Sequence, residues 1–219
     1  MGNFFNLDNP LFSILNKICD MLFVSIIYII LCLPIFTIGP ATTALYYAVV
    51  KVIRRERGYI SREFFRSFKL NFKRGTIVGL VLTLLFIILT FDLIYAYGLT
   101  APDSNKGSLL MGVFIGITFL LVCFTIYVFP VLSRFDTTIK QLIRTTVYMS
   151  MRHMGSTILM VIASALVYIA IYFFQPAIFI APAAITLINS FLIERVFKKY
   201  MPESEGPGEE TGKDEWYLE

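Results

Sequence analysis

Apolar and polar positions alternate along this chain in long blocks. Apolar runs of membrane-crossing length cover Ser13 to Phe36, Gly75 to Gly98, Leu109 to Ser133 and Ser156 to Phe174, and Pro176 to Ile193 nearly reaches that length. A helix needs about 20 such residues to cross the hydrocarbon of a bilayer. A sixth, shorter segment, Ile38 to Ile53, follows a helix-breaking Thr-Ile-Gly-Pro. Gly39 and Pro40 suit a turn followed by a helix start, because proline is tolerated in a first helical turn. The pattern predicts an all-α polytopic transmembrane bundle of six spans, or of five if Ile38 to Ile53 stays on one side.

The polar connections divide by charge. Those at Lys51 to Arg74, Arg134 to His153 and after Ile193 are basic, whereas Leu99 to Ser108 and Gln175-Pro176 are short turns with little positive charge. Lysine and arginine accumulate in cytoplasmic loops, so the basic connections are expected inside. With six spans both termini are then cytoplasmic. With five, the N-terminus is external.

Both long basic connections read as amphipathic helices lying in the interface or beneath the bundle. Phe64, Phe65, Phe68 and Phe72 share an arc at about 100° per residue, and Arg62, Arg66, Lys69 and Lys73 share the opposite one. In the second connection Phe135, Ile139, Leu142, Ile143, Thr146 and Met149 share a face. Small-residue turns at Arg74 to Thr76 and Gly155 to Thr157 are expected to separate these helices from the spans that follow.

Composition agrees: 57% of residues are hydrophobic and the mean hydropathy is +0.74. The net charge of +4 conceals an acidic stretch, residues 202–219, in which seven carboxylates face Lys213 alone. The helical domain is therefore placed at 1–200 and a disordered acidic cytoplasmic tail at 201–219. The basic residues flank spans, which is a membrane-protein pattern and not a nucleic-acid one. The N-terminus has no basic region or cleavage site, so no signal peptide is read. Position 6 lacks the serine or threonine of a myristoylation site.

Candidate chemistry is sparse. Cys19, Cys32 and Cys123 lie in apolar runs with no CxxC, and the one histidine, His153, has no ligand-spaced neighbours. No phosphate-binding glycine loop, zinc-protease motif or nucleophile elbow occurs. The expectation is a non-enzymatic protein without cofactor or metal. Asp92 is the ionisable residue clearly inside a span, where it could line a polar path or be solvated near the interface. Thr42, Thr43, Tyr46 and Tyr47 could face a polar cavity or hydrogen-bond between helices. Arg134 reads as an interfacial anchor and Asp136 as a helix cap.

The blocks PIFTIGPATTALYY, FFRSFKLNF, YVFPVLSRFDTTIKQ and LINSFLIERVFKKY, in register from Asn3 to Tyr200, resemble the YesL family of bacterial integral membrane proteins. Gly39, Pro40, Thr42, Thr43, Tyr46, Phe65, Phe68, Arg134, Asp136 and Asn189 are among the matching positions. The resemblance implies a bacterial cell membrane and association with carbohydrate uptake, but no activity. Three functions are expected from the residues and the resemblance together. One is an accessory subunit that binds the permease of a carbohydrate ABC importer. Another is a small sugar transporter or channel. The third is a lipid-binding or signalling protein that meets anionic lipid at the basic helix Arg62 to Lys73.

Overall fold

The computed structural model describes residues 10–99, 105–135 and 138–200. Among them every regular element is helical: α1 Pro10–Leu31, α2 Ile38–Ala48, α3 Ile60–Gly98, α4 Asn105–Arg134, α5 Ile139–Arg152, α6 Met154–Phe173 and α7 Ala181–Phe197. Asp136 and the acidic stretch 201–219 lie outside the described residues.

Five segments are long and apolar enough to cross a membrane: Ile14–Leu31, Ile35–Arg54, Ile60–Gly98, Gly107–Arg134 and Met154–Phe173. α7 is shorter, at 17 residues, and follows a 3-10 segment at Gln175–Phe179. Lys17 near the start of α1 pairs with Glu56 just beyond the second span, at 2.5 Å. Arg55 lies 3.5 Å from Glu194 near the end of α7. The start of α1 and the end of α7 therefore sit at the same end of the bundle.

The segment Ile35–Arg54 is the core of the bundle. It is 72% buried, against 22% or less for each of the other four candidate spans. Its composition explains this: Gly39, Pro40, Ala41, Ala44 and Ala48 are small enough for neighbouring backbones to approach. The turn before it differs slightly from the sequence expectation. It runs through Pro34 and a 3-10 segment, Ile35–Thr37, and the Thr37 hydroxyl donates to the carbonyls of Leu31 and Pro34. Gly39 and Pro40 already belong to the first turn of α2.

A six-residue π-helical segment, Val49–Arg54, then widens the helix before the chain reverses. The Arg55 amide bonds to Val50 O at 3.2 Å. Glu56 and Gly58 take positive φ in the reversal, at 55° and 84°.

The largest departure from expectation is α3. No turn interrupts Arg74 to Thr76; a single helix of 39 residues runs from Ile60 to Gly98, about 58 Å at 1.5 Å per residue. Its buried positions Ile60, Phe64, Ser67, Gly75, Val78, Leu82, Leu89 and Ala96 continue one stripe at helical spacing through the basic region and the span. The stripe packs throughout, so nothing favours a break.

α5 is a separate amphipathic helix, as expected, closed by a capping box between Thr138 and Gln141. The expected single face divides in two. Leu142, Thr146 and Met149 are buried, whereas Ile139 and Ile143 belong to an exposed stripe with Val147 and Met151. The second expected turn lies earlier than Gly155 to Thr157. The break is at His153, and those residues open α6.

Candidate functional site

All the long helices except α5 contribute to one cavity of about 530 Å³. α1 supplies Tyr28, α2 supplies Thr42 and Tyr46, α3 supplies Phe86, α4 supplies Thr125, Phe129 and Pro130, α6 supplies Ser164 and Tyr168, and α7 supplies Thr186 and Asn189. The volume falls within the roughly 300–1,000 Å³ typical of small-molecule sites. The walls are mainly apolar, and the polar atoms on them are hydroxyls and one carboxamide.

That carboxamide is incompletely satisfied. Asn189 Nδ2 donates to Ser164 Oγ at 3.0 Å, but Oδ1 is buried and has no hydrogen-bond partner among the described residues. An orphaned acceptor inside a bundle costs about 1–3 kcal/mol, so a group that donates to it from the cavity would recover that energy. Across the cavity Tyr28 and Thr42 share a hydrogen bond of 3.3 Å.

An ion network lies at the basic end of the cavity. Arg134 clamps the Glu194 carboxylate, Nε to Oε1 at 3.1 Å and Nη2 to Oε2 at 2.5 Å. The Tyr46 hydroxyl donates to Glu194 Oε1 at 2.7 Å. Arg54 donates to the Ser190 carbonyl at 2.8 Å and stacks over Phe191, 4.6 Å from its centroid. Tyr46 thus belongs to both structures: its side chain lines the cavity, and its hydroxyl joins the ion network. Pro130, also on the cavity wall, sits one turn before Arg134 and removes a backbone donor from α4 there.

A second buried pair joins the π segment to α3. Lys51 Nζ donates to Glu63 Oε2 at 2.9 Å and to the Tyr47 hydroxyl at 3.3 Å. Both ions are taken from water, so each depends on the other.

The residues singled out in the sequence disperse over these features. Thr42 and Tyr46 line the cavity. Thr43 is buried in α2 and donates to Gly39 O at 3.0 Å, a packing role. Tyr47 belongs to the Lys51 pair, and Asp92, half-buried on α3, lies away from the cavity. Gly39 and Pro40 form the contact with Gly75 and Gly79 of α3. Phe68 stacks on the buried Phe64, and Phe65 is exposed. Arg134 is no surface anchor; its side chain is 1% exposed. Glu194 and Glu63 were not anticipated. The signal for Glu194 was present, a lone carboxylate in the apolar run LINSFLIERV, where an ionisable group requires a partner.

Residues 18–93 match the family described as "Protein of unknown function, DUF624". Two proteins of Bacillus subtilis (strain 168) are similar. "Uncharacterized protein YesL" is 26% identical over 129 residues, 58% of this chain and 59% of that protein. "Uncharacterized protein YteU" is 28% identical over 134 residues, 61% of this chain and 59% of that protein. Over these stretches the chain is similar to the YesL family. The matches span 59% of the length of these relatives. No solved structure matches the chain significantly. Three of the blocks that carried the resemblance meet at one place: Thr42 and Tyr46, Phe129 and Pro130, and Asn189 all line the cavity.

Proposed function

We propose that this YesL-family protein is non-enzymatic and takes a small neutral solute into its intramembrane cavity, as a small transporter or channel for a sugar or related solute does. The observation that carries the reading is the cavity of about 530 Å³ in which Asn189 Oδ1 is left without a partner. Among the described residues no charged side chain lines the cavity, which favours an uncharged solute. The polar ends of Tyr28, Thr42 and Thr125 supply orientation while Phe86 and Phe129 supply contact area.

The test is thermal stabilisation of the purified protein in nanodiscs by a panel of neutral solutes that includes mono- and disaccharides. Binding at about 100 times Kd adds roughly 2.7 kcal/mol of stability. A rise in the unfolding midpoint that disappears when Ala165→Trp fills the cavity supports the reading. A folded protein that no solute stabilises rejects it.

A second reading is an accessory subunit that binds the permease of a carbohydrate ABC importer. The exposed apolar stripe of α5, Ile139, Ile143, Val147 and Met151, favours it as a docking face. Copurification of a permease that Val147→Asp abolishes would support this reading. Recovery of the protein alone under every sugar condition would count against it.

A further inference from the structure

We infer that the cavity selects neutral ligands that donate hydrogen bonds: an apolar ring or chain carrying a hydroxyl or amide N–H, with neither a carboxylate nor an ammonium. This inference rests on the cavity being a ligand site, as proposed above.

The argument follows the protons. A threonine in a helix can commit its hydroxyl proton to the carbonyl four residues back. Thr42 does so to Ile38 O at 2.7 Å, Thr125 to Leu121 O at 2.8 Å and Thr186 to Pro182 O at 2.7 Å. Because the Thr42 proton goes to Ile38, the contact with Tyr28 is one in which Tyr28 donates. Tyr46 donates to Glu194. Each of these five hydroxyls has committed its proton within the protein and keeps lone pairs. The orphaned Asn189 Oδ1 adds another acceptor. Ser164 and Tyr168 are the lining hydroxyls whose protons no other group takes among the described residues. Ser164 accepts from Asn189 and keeps its own proton to give, Asn189 Nδ2 has a second hydrogen, and Tyr168 is largely exposed.

The committed hydroxyls and the orphaned Asn189 Oδ1 therefore offer the cavity more acceptors than Ser164, Asn189 Nδ2 and Tyr168 offer donors. A ligand that only accepts, such as an ether, can meet those few protons but leaves Asn189 Oδ1 and the other acceptors unmatched. A carboxylate would do so with a full charge. The arginine nearest the cavity end, Arg134, is already held by Glu194. An ammonium finds no carboxylate on the wall, because Glu194 is occupied by Tyr46 and Arg134 and flanked by Arg55. Glu63, the other buried carboxylate nearby, is held by Lys51. A neutral donor matches the lone pairs, and its apolar body matches Phe86 and Phe129. Losing a hydrogen bond to a buried acceptor costs about 1–3 kcal/mol, so preference for the donor is expected to be about tenfold or more.

The test uses full-length protein in zwitterionic nanodiscs at pH 7 and three probes of one shape: 2-naphthol, 2-methoxynaphthalene and 2-naphthoate. Saturable binding is read by ligand-observed NMR against empty nanodiscs. The expected result is binding of 2-naphthol about tenfold or more tighter than its methyl ether, with 2-naphthoate weakest. Asn189→Leu is expected to reduce that preference to about twofold or less. Thr125→Val with Thr186→Val, which keep side-chain shape, serve the same purpose if Asn189→Leu fails to fold. Equal binding of 2-naphthol and 2-methoxynaphthalene, or tightest binding of 2-naphthoate, would overturn the inference while leaving a ligand cavity. No saturable binding by any probe would overturn the cavity reading with it.

Discussion

Gly39 and Gly75 meet so closely that a β-carbon on Gly39 would lie 1.9 Å from the Gly75 carbonyl oxygen. Gly79 completes the contact, its missing β-carbon 2.8 Å from the Gly39 Cα. The stretch Gly75-Thr-Ile-Val-Gly79 is thus a GxxxG face used to bring α3 against α2. Since backbone atoms cannot yield, Gly39→Ala and Gly79→Leu are expected to separate the helices. The cost should be about 1–3 kcal/mol or more, read as loss of a monodisperse elution peak. Gly112 and Gly116 form the same spacing on α4 with nothing within 4 Å, and alanine at either is expected to be tolerated.

Glu194 is held in a buried network, so truncating one partner leaves an uncompensated ion. Arg134→Met and Glu194→Leu should each lower stability by about 3–5 kcal/mol, and the double substitution should cost less than the sum. Tyr46→Phe removes one hydrogen bond to a charged acceptor, about 1.5–3 kcal/mol. Thermal unfolding in detergent, arranged as a double-mutant cycle, measures all three. Additive losses would show that Arg134 and Glu194 are not coupled.

Arg62, Arg66, Lys69 and Lys73 are exposed on the first turns of α3, beyond its glycine contact. They are the groups expected to meet anionic lipid, at about 1 kcal/mol for each charge near the surface. Phosphatidylserine nanodiscs should stabilise the protein relative to neutral ones. The difference should shrink in high salt and when the four residues become glutamine. A lipid effect that salt leaves intact would argue for another site.

His153, between α5 and α6, hydrogen-bonds Tyr200 at 3.1 Å. Burial, and then the charges of Lys199 and Arg152, hold its pKa below the usual 6.5. The folded chain takes up this proton less readily than the unfolded one. Its contribution is therefore complete above the unfolded value and is lost as pH falls through the lowered folded value. Unfolding midpoints between pH 7.5 and 5 should fall with acid, and His153→Gln should flatten that dependence.

The helical, membrane-crossing character was legible in the sequence because it follows from run length and hydropathy. The helical nature of Ile38 to Ile53 was legible, but its central burial was not, because small residues look weakly apolar. The continuity of α3 was hidden by Arg74-Gly75, which resembles a break. The clue was the spacing of Ile60, Phe64, Ser67, Gly75, Val78 and Leu82, unchanged across it. Asn189 was noticed only as part of a resemblance. Its place opposite Ser164 depends on how α6 and α7 pack, which no local pattern specifies.

The unbroken α3 makes the protein a lever. Its fulcrum is the glycine contact at Gly75 and Gly79, and the 15 residues before it form an arm about 22 Å long. A tilt of about 10° at that fulcrum moves the arm tip by roughly 4 Å. Glu63 sits near the tip, tied by Lys51 to the helix that supplies Tyr46 to the cavity. A displacement of the basic arm would reach the cavity wall through Glu63 and Lys51 with no helix break in between.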